Sequence, residues 1–115
     1  MIMMQKQSLS TFITYNEEKF TKRVIFKEGE STVFVLNFSK NQALPAHKHP
    51  GTNVFIQVIE GEGTFHVDGE SLAVTQHDVI HFSGEEEMSF VNGGGNTSLY
   101  VMLNKIPDER YVKEI

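Results

Sequence analysis

The sequence contains no cysteine, which excludes disulfides, thiolate zinc sites and thiol nucleophiles together. Basic residues are scarce and scattered. Lys and Arg number 10 against 15 Asp and Glu, for a formal charge of -5, and the densest basic stretch is the dipeptide Lys22-Arg23. A nucleic-acid partner would have no electrostatic footprint to follow, and none is expected. No apolar run approaches the ~20 residues that cross a bilayer as a helix, so no membrane partner is expected either. The opening MIMMQKQSLS lacks a basic region followed by a sustained apolar stretch. No secretory signal is expected, and the default address is the cytoplasm. Sustained helical periodicity, internal repeats and low-complexity tracts are missing too.

What is present is a series of short runs rich in Val, Ile, Phe, Thr and Tyr, separated by turn residues. Such side chains fit a pleated, half-buried surface, and the regular spacing of the runs reads as an all-β barrel or sandwich. Strands are predicted near Phe20–Phe26, Ser31–Phe38, Asn53–Glu60, Gly63–Asp68, Glu70–Thr75, Asp78–Phe82, Met88–Asn92 and Ser98–Leu103. Asp68-Gly69 is a dipeptide suited to a type I′ hairpin, whose central residues both take positive φ. Gly61-Glu62-Gly63 and Gly93-Gly94-Gly95 mark further reversals. Connections this short leave no room for crossover helices, so the pairing should be antiparallel. At 115 residues the chain suits one domain, 1–115, with the barrel over about 20–104. The segments Ser8–Lys19 and Pro107–Ile115 are expected to form a helical turn or extended arms.

The stretch LPAHKHPGTNVFIQVIEGEG carries the strongest chemical signal. His47 and His49 stand two residues apart, so in an extended segment both imidazoles share one face and can converge on one divalent ion. Their surroundings resemble the first motif of the cupin superfamily, G-x5-H-x-H-x3,4-E-x6-G. His47 and His49 fall on its histidines and Gly61 on its closing glycine. Asn41 takes the opening glycine, a tolerable exchange because Asn enters left-handed turns readily. The glutamate position falls on Val54, which cannot ligate, with Asn53 beside it as the alternative spacing. The second motif, G-x5-P-x-G-x2-H-x3-N, survives in outline. His77, Ser83 and Glu85 stand at its glycines and proline, Met88 at its histidine, and Asn92 at its asparagine.

The resemblance spans about Asn41 to Asn92 and implies a small cupin, an antiparallel double-stranded β-helix or jelly roll. It also implies a metal motif reduced from four ligands to two. Two imidazoles alone would hold zinc, nickel, iron or manganese weakly. Asn53 and His81 are the candidates to supplement them, or to contact a ligand together with Met88. As a thioether, Met88 would suit copper(I) better than harder ions. Plainer alternatives exist for each. Met88 can simply line the barrel, His81 and His66 can be hydrogen-bonded strand residues, His77 a turn residue, and Glu85-Glu86-Glu87 a solvated tip. Three functions fit this pattern: small-molecule binding in the barrel, with or without a weakly held metal; a metal-dependent dioxygenase or isomerase; and a ligand-sensing module with a separate partner. A homodimer is expected, with the N-terminal strand and Ser98–Leu103 as the sheet edges available for pairing.

Overall fold

The computed structural model describes residues 3–105. A single 3-10 turn, Leu9–Phe12, precedes nine strands: β1 (Thr21–Glu28), β2 (Ser31–Phe38), β3 (Ala43–His47), β4 (Thr52–Glu60), β5 (Glu62–Val67), β6 (Glu70–Thr75), β7 (Val79–Ser83), β8 (Met88–Asn92) and β9 (Thr97–Lys105). They form two sheets of order β1-β2-β9-β4-β7 and β3-β8-β5-β6, and each strand pair is antiparallel. The expected all-β jelly roll is therefore the fold. Eight strands fall where the alternation and turn residues predict them. The predicted helical turn or arm over Ser8–Lys19 contains the 3-10 turn, and Pro107–Ile115 lies outside the described residues. No helix among the described residues is long and apolar enough to cross a membrane.

The turns form for the reasons their residues suggest. Asp68 and Gly69 both take positive φ, at 46° and 85°, and join β5 to β6 with Val67 opposite Glu70. Asn41 sits at φ 69° and His77 at φ 76°, so both are turn residues. The core lies between the sheets, where alternate residues point inward. Phe65 of β5 is its hub, 5.2 Å from the ring of Phe82 in the five-stranded sheet and 4.8 Å from that of Phe90 in the other. The N-terminal segment is fastened over β2 and β9 by a polar cluster. Asn37 Nδ2 donates to the Phe12 carbonyl at 2.8 Å, Ser98 Oγ donates to Asn37 Oδ1 at 2.6 Å, and the Tyr15 phenol reaches Ser98 at 2.6 Å and Glu60 at 3.0 Å. Burial, with Glu60 adding to it, pushes the Tyr15 phenol up to about 12.

Two expectations change here. The sequence predicts no strand over Ala43–His47, yet β3 is the edge strand that delivers the histidines. And β9 is no edge. It bonds β2 on one side and β4 on the other, so Ser98–Leu103 offers no free backbone to a second copy, whereas β1 and β7 end that sheet.

Candidate functional site

β3 pairs with β8, and its register places Leu44 opposite Phe90 and His47 opposite Met88. Two residues, Pro45 and Ala46, therefore face the one residue Ser89, a bulge. Directly opposed residues share a face of the sheet, and Phe90 and Met88 both point into the core. The bulge thus lets Leu44 and His47, an odd number of residues apart, both face inward. Proline is tolerated there because an edge strand at a bulge needs no N–H from it.

The pair comes together as the spacing suggests. The His47 and His49 rings lie 4.7 Å apart, edge to face at 87°. His47 Nδ1 stands 2.7 Å from the Pro45 carbonyl. A carbonyl only accepts, so Nδ1 carries a proton, and in the neutral ring Nε2 keeps its lone pair, the arrangement that prepares an imidazole to ligate.

His49 is positioned through its backbone. Its N–H donates to the Gly84 carbonyl at 2.9 Å, and its own carbonyl receives Thr52 Oγ1 at 2.6 Å. Gly84 in turn donates to Thr52 O at 2.8 Å. The acidic run expected to be a solvated tip helps to hold this clip. Glu85 Oε1 accepts from Gly51 N–H and Glu86 Oε1 from Ser83 N–H.

One further group at the site is missing from the sequence reading: Lys22. It lies opposite Leu36 in the β1–β2 register and so faces inward, with its ammonium 4.5 Å from the centroid of the Phe34 ring. It shares the inward parity of Val24, which is the signal that could have found it. Burial lowers the His49 pKa, and the charges of His47 and Lys22 lower it further. The signs give a pH dependence. The unfolded chain protonates His49 at its ordinary value, near 6.5, and the folded chain only at lower pH. This contribution to stability is undiminished above 6.5 and is lost as pH falls from there through the folded value. In Lys22→Met the His49 titration, followed by imidazole NMR, is expected to move up toward the ordinary value; a curve unmoved by the substitution would show that Lys22 does not act on it.

The remaining candidates do not all converge. Val54, at the glutamate position, is an inner-wall residue 2% exposed, and Met88, at the histidine position, is 4% exposed within the core. Asn53 and His81 lie on the opposite face of β4 and β7, where His81 Nε2 donates to Asn53 Oδ1 at 3.0 Å and its ring lies 5.0 Å from that of Phe55. The structure therefore brings His47 and His49 together, sets Met88 across from His47, and places Asn53 and His81 apart from them. His66 bonds Ser71, its cross-strand partner, at 3.0 Å. Asn92 holds the loop ahead of β9, its Nδ2 donating to the carbonyls of Ser39 at 2.7 Å and Gly95 at 2.8 Å.

Among the described residues no three His, Asp or Glu side chains gather closely enough to hold a metal ion. The donors present do not suit a tightly held resident metal. The two imidazoles have Met88 across from one of them, and the neighbouring charge, Lys22, repels a cation. An open cleft of about 480 Å³ lies elsewhere, between β6 and β7, with Asp68, Glu70 and Glu86 on its walls.

Comparisons with known proteins agree with this fold. A family model described as a cupin domain matches residues 34–103. Among solved structures, the chain is similar to TT1209 from Thermus thermophilus, at 21% identity and a TM-score of 0.82, covering 90% of this chain and 100% of that one. It is similar to an RmlC-like cupin protein from Desulfovibrio desulfuricans at 19% identity and TM-score 0.79, over 88% and 96% of the two chains. A third likeness is to the cupin domain of an XRE family transcriptional regulator from Enterobacter cloacae, at 14% identity and TM-score 0.70, over 76% and 98%. No curated protein matches the sequence.

Proposed function

Since the chain belongs to the cupin-domain family, a scaffold whose activity is decided by its site, we propose that it binds a small molecule at the mouth of the barrel, beside His47, His49 and Lys22. The observation that carries this reading is the replacement of two ligand positions by Val54 and Met88, both buried in the inner wall. Convergent polar groups on an apolar floor are the usual make-up of a small-molecule site. Depth is limited, because Phe65 and Phe90 fill the interior. The ligand accordingly rests across the mouth, with a polar atom toward the imidazoles.

A divalent metal, where it binds, has two imidazoles and water to hold it. The free Nε2 of His47 favours a second reading, a metal-dependent enzyme of the dioxygenase or isomerase type, and the two are separable. Protein purified without an affinity tag is expected to carry substoichiometric metal by elemental analysis, unchanged in the His47→Ala/His49→Ala double variant. Near-stoichiometric metal that disappears in that variant would overturn the small-molecule reading in favour of the metalloenzyme. The likeness to a regulator's cupin domain supports a sensing role as a further alternative, exerted through a separate partner.

A further inference from the structure

The barrel is open where its two sheets end side by side. β6 ends one sheet and β7 the other, and among the described residues no strand pairs with either on this side. The cleft of about 480 Å³ lies between them. From β6, Leu72 stands opposite the core residue Phe65 and so faces inward, yet it is 45% exposed because nothing covers it. Ile80 and Phe82 line the cleft from β7.

The register shows which backbone groups of β7 meet this opening. Opposed residues of an antiparallel pair alternately exchange hydrogen bonds and turn those groups away. Gly84 N–H donates to Thr52 O and Val58 N–H to Asp78 O, which sets the phase of the β4–β7 ladder. Ile80 and Phe82 therefore bond β4, whereas Val79, His81 and Ser83 turn their N–H and C=O groups to the open side. Glu86 Oε1 caps the Ser83 N–H, which leaves the groups of Val79 and His81. Other edges are guarded. β1 carries Lys22, Arg23 and Lys27 with a bulge between Val24 and Phe26, and β3 has Pro45 within its bulge. Charges, proline and bulges all blunt a strand edge, and Val79–Ser83 has no Lys, Arg, Pro or bulge.

We propose that β7 is a docking edge for an extended, basic segment of a partner protein, which adds antiparallel to Val79–Ser83 as a further strand and turns alternate Lys or Arg side chains into the cleft. Side chains of an added strand alternate between the outer face, beside Val79 and His81, and the inner face, beside Ile80 and Phe82. The inner set enters a cleft walled by Asp68, Glu70 and Glu86 and lined by no Lys or Arg. Basic side chains meet these carboxylates with their heads while their stems lie along Leu72. In this mode main-chain bonds supply affinity, and the pockets for alternate side chains supply specificity. An acidic segment is repelled here. The β7 edge of a second copy would bring only Ile80 and Phe82 inward and leave the three carboxylates without a counter-charge.

Titrating the full chain with a short capped peptide of alternating threonine and lysine tests this. The amide resonances of Val79 and His81 are expected to shift in NMR spectra, with those of β1 and β3 unmoved. In the antiparallel mode the lysines point into the cleft and turn their N–H groups away from β7, so the threonines supply the pairing N–H groups. Methylating the backbone nitrogens of two central threonines is expected to weaken binding about tenfold or more, and methylating those of two lysines to change it little. Glu70→Gln is expected to weaken binding about two- to fivefold, and a peptide with glutamate for lysine should not bind. A lysine peptide that leaves the Val79 and His81 amides unmoved would overturn the proposal. So would equal binding of the glutamate peptide, or indifference to the methylated threonines. Slow hydrogen exchange at these two amides in the free protein would overturn it as well, since a second copy would then already occupy the edge.

Discussion

Gly84→Ala is expected to lose the His47–His49 arrangement and a substantial part of the domain's stability in one step. A Cβ at Gly84 would collide with the backbone carbonyl of His49 and press on Thr52, and neither is a flexible side-chain end that can swing aside. The methyl group therefore has to push the His49–Thr52 turn off the sheet. That movement breaks the bonds from His49 N–H to Gly84 O and from Gly84 N–H to Thr52 O. Overpacking of this kind costs about 1–3 kcal/mol, and each backbone bond lost adds about 1 kcal/mol. Urea denaturation should show a drop of roughly 3–5 kcal/mol on these terms. The His49 imidazole resonance should move toward that of an exposed histidine. Stability and His49 resonance both left as in the wild type would show that the clip does not position this residue.

Phe65→Ala is expected to be at least as severe, for the opposite reason. Phe65 is wholly buried, and its ring stacks obliquely with Phe82 from one sheet and Phe90 from the other. Removing it leaves a void between two sheets whose hydrogen bonds keep their strands from closing in. Buried Phe→Ala changes cost about 3–5 kcal/mol, against a total of about 5–15 kcal/mol for a typical domain. Thermal denaturation is expected to show a much lowered midpoint, or no cooperative transition. A midpoint within a few degrees of the wild type would mean that the sheets are held together elsewhere.

Fold and site are legible in the sequence to different degrees. Asp68-Gly69 announces its hairpin because few dipeptides accept two consecutive positive φ angles, and the left-handed Asn41 is visible for a similar reason. Strands such as Ser31–Phe38 read clearly because β-branched and aromatic residues run through them. β3 carries only Leu44 and Ala residues beside Pro45 and His47, so its strand character comes from pairing with β8, which no local pattern states. The same gap hides which way each side chain points. Asn53 and Val54 are adjacent in sequence, Val54 at the family's glutamate position and Asn53 at its shorter spacing, yet the pleat sends Val54 into the core and Asn53 outside to His81. Lys22 escapes notice because a lysine reads as solvent-facing, whereas its register with Leu36 brings it over Phe34. The family pattern locates His47 and His49, with Val54 and Met88, both buried, at its other two ligand positions.

The bulge at Pro45-Ala46 makes the inward aim of His47 a matter of counting along the backbone. A one-residue slip of β3 against β8 would set Ala46 opposite Met88 and turn the imidazole to water, while Phe65, Phe82 and Phe90 kept their places. The direction of His47 is thus set by the phase of one edge strand, with both histidines still in the sequence. The histidine spacing alone therefore does not fix where His47 points; the number of residues between the inward Leu44 and His47 does.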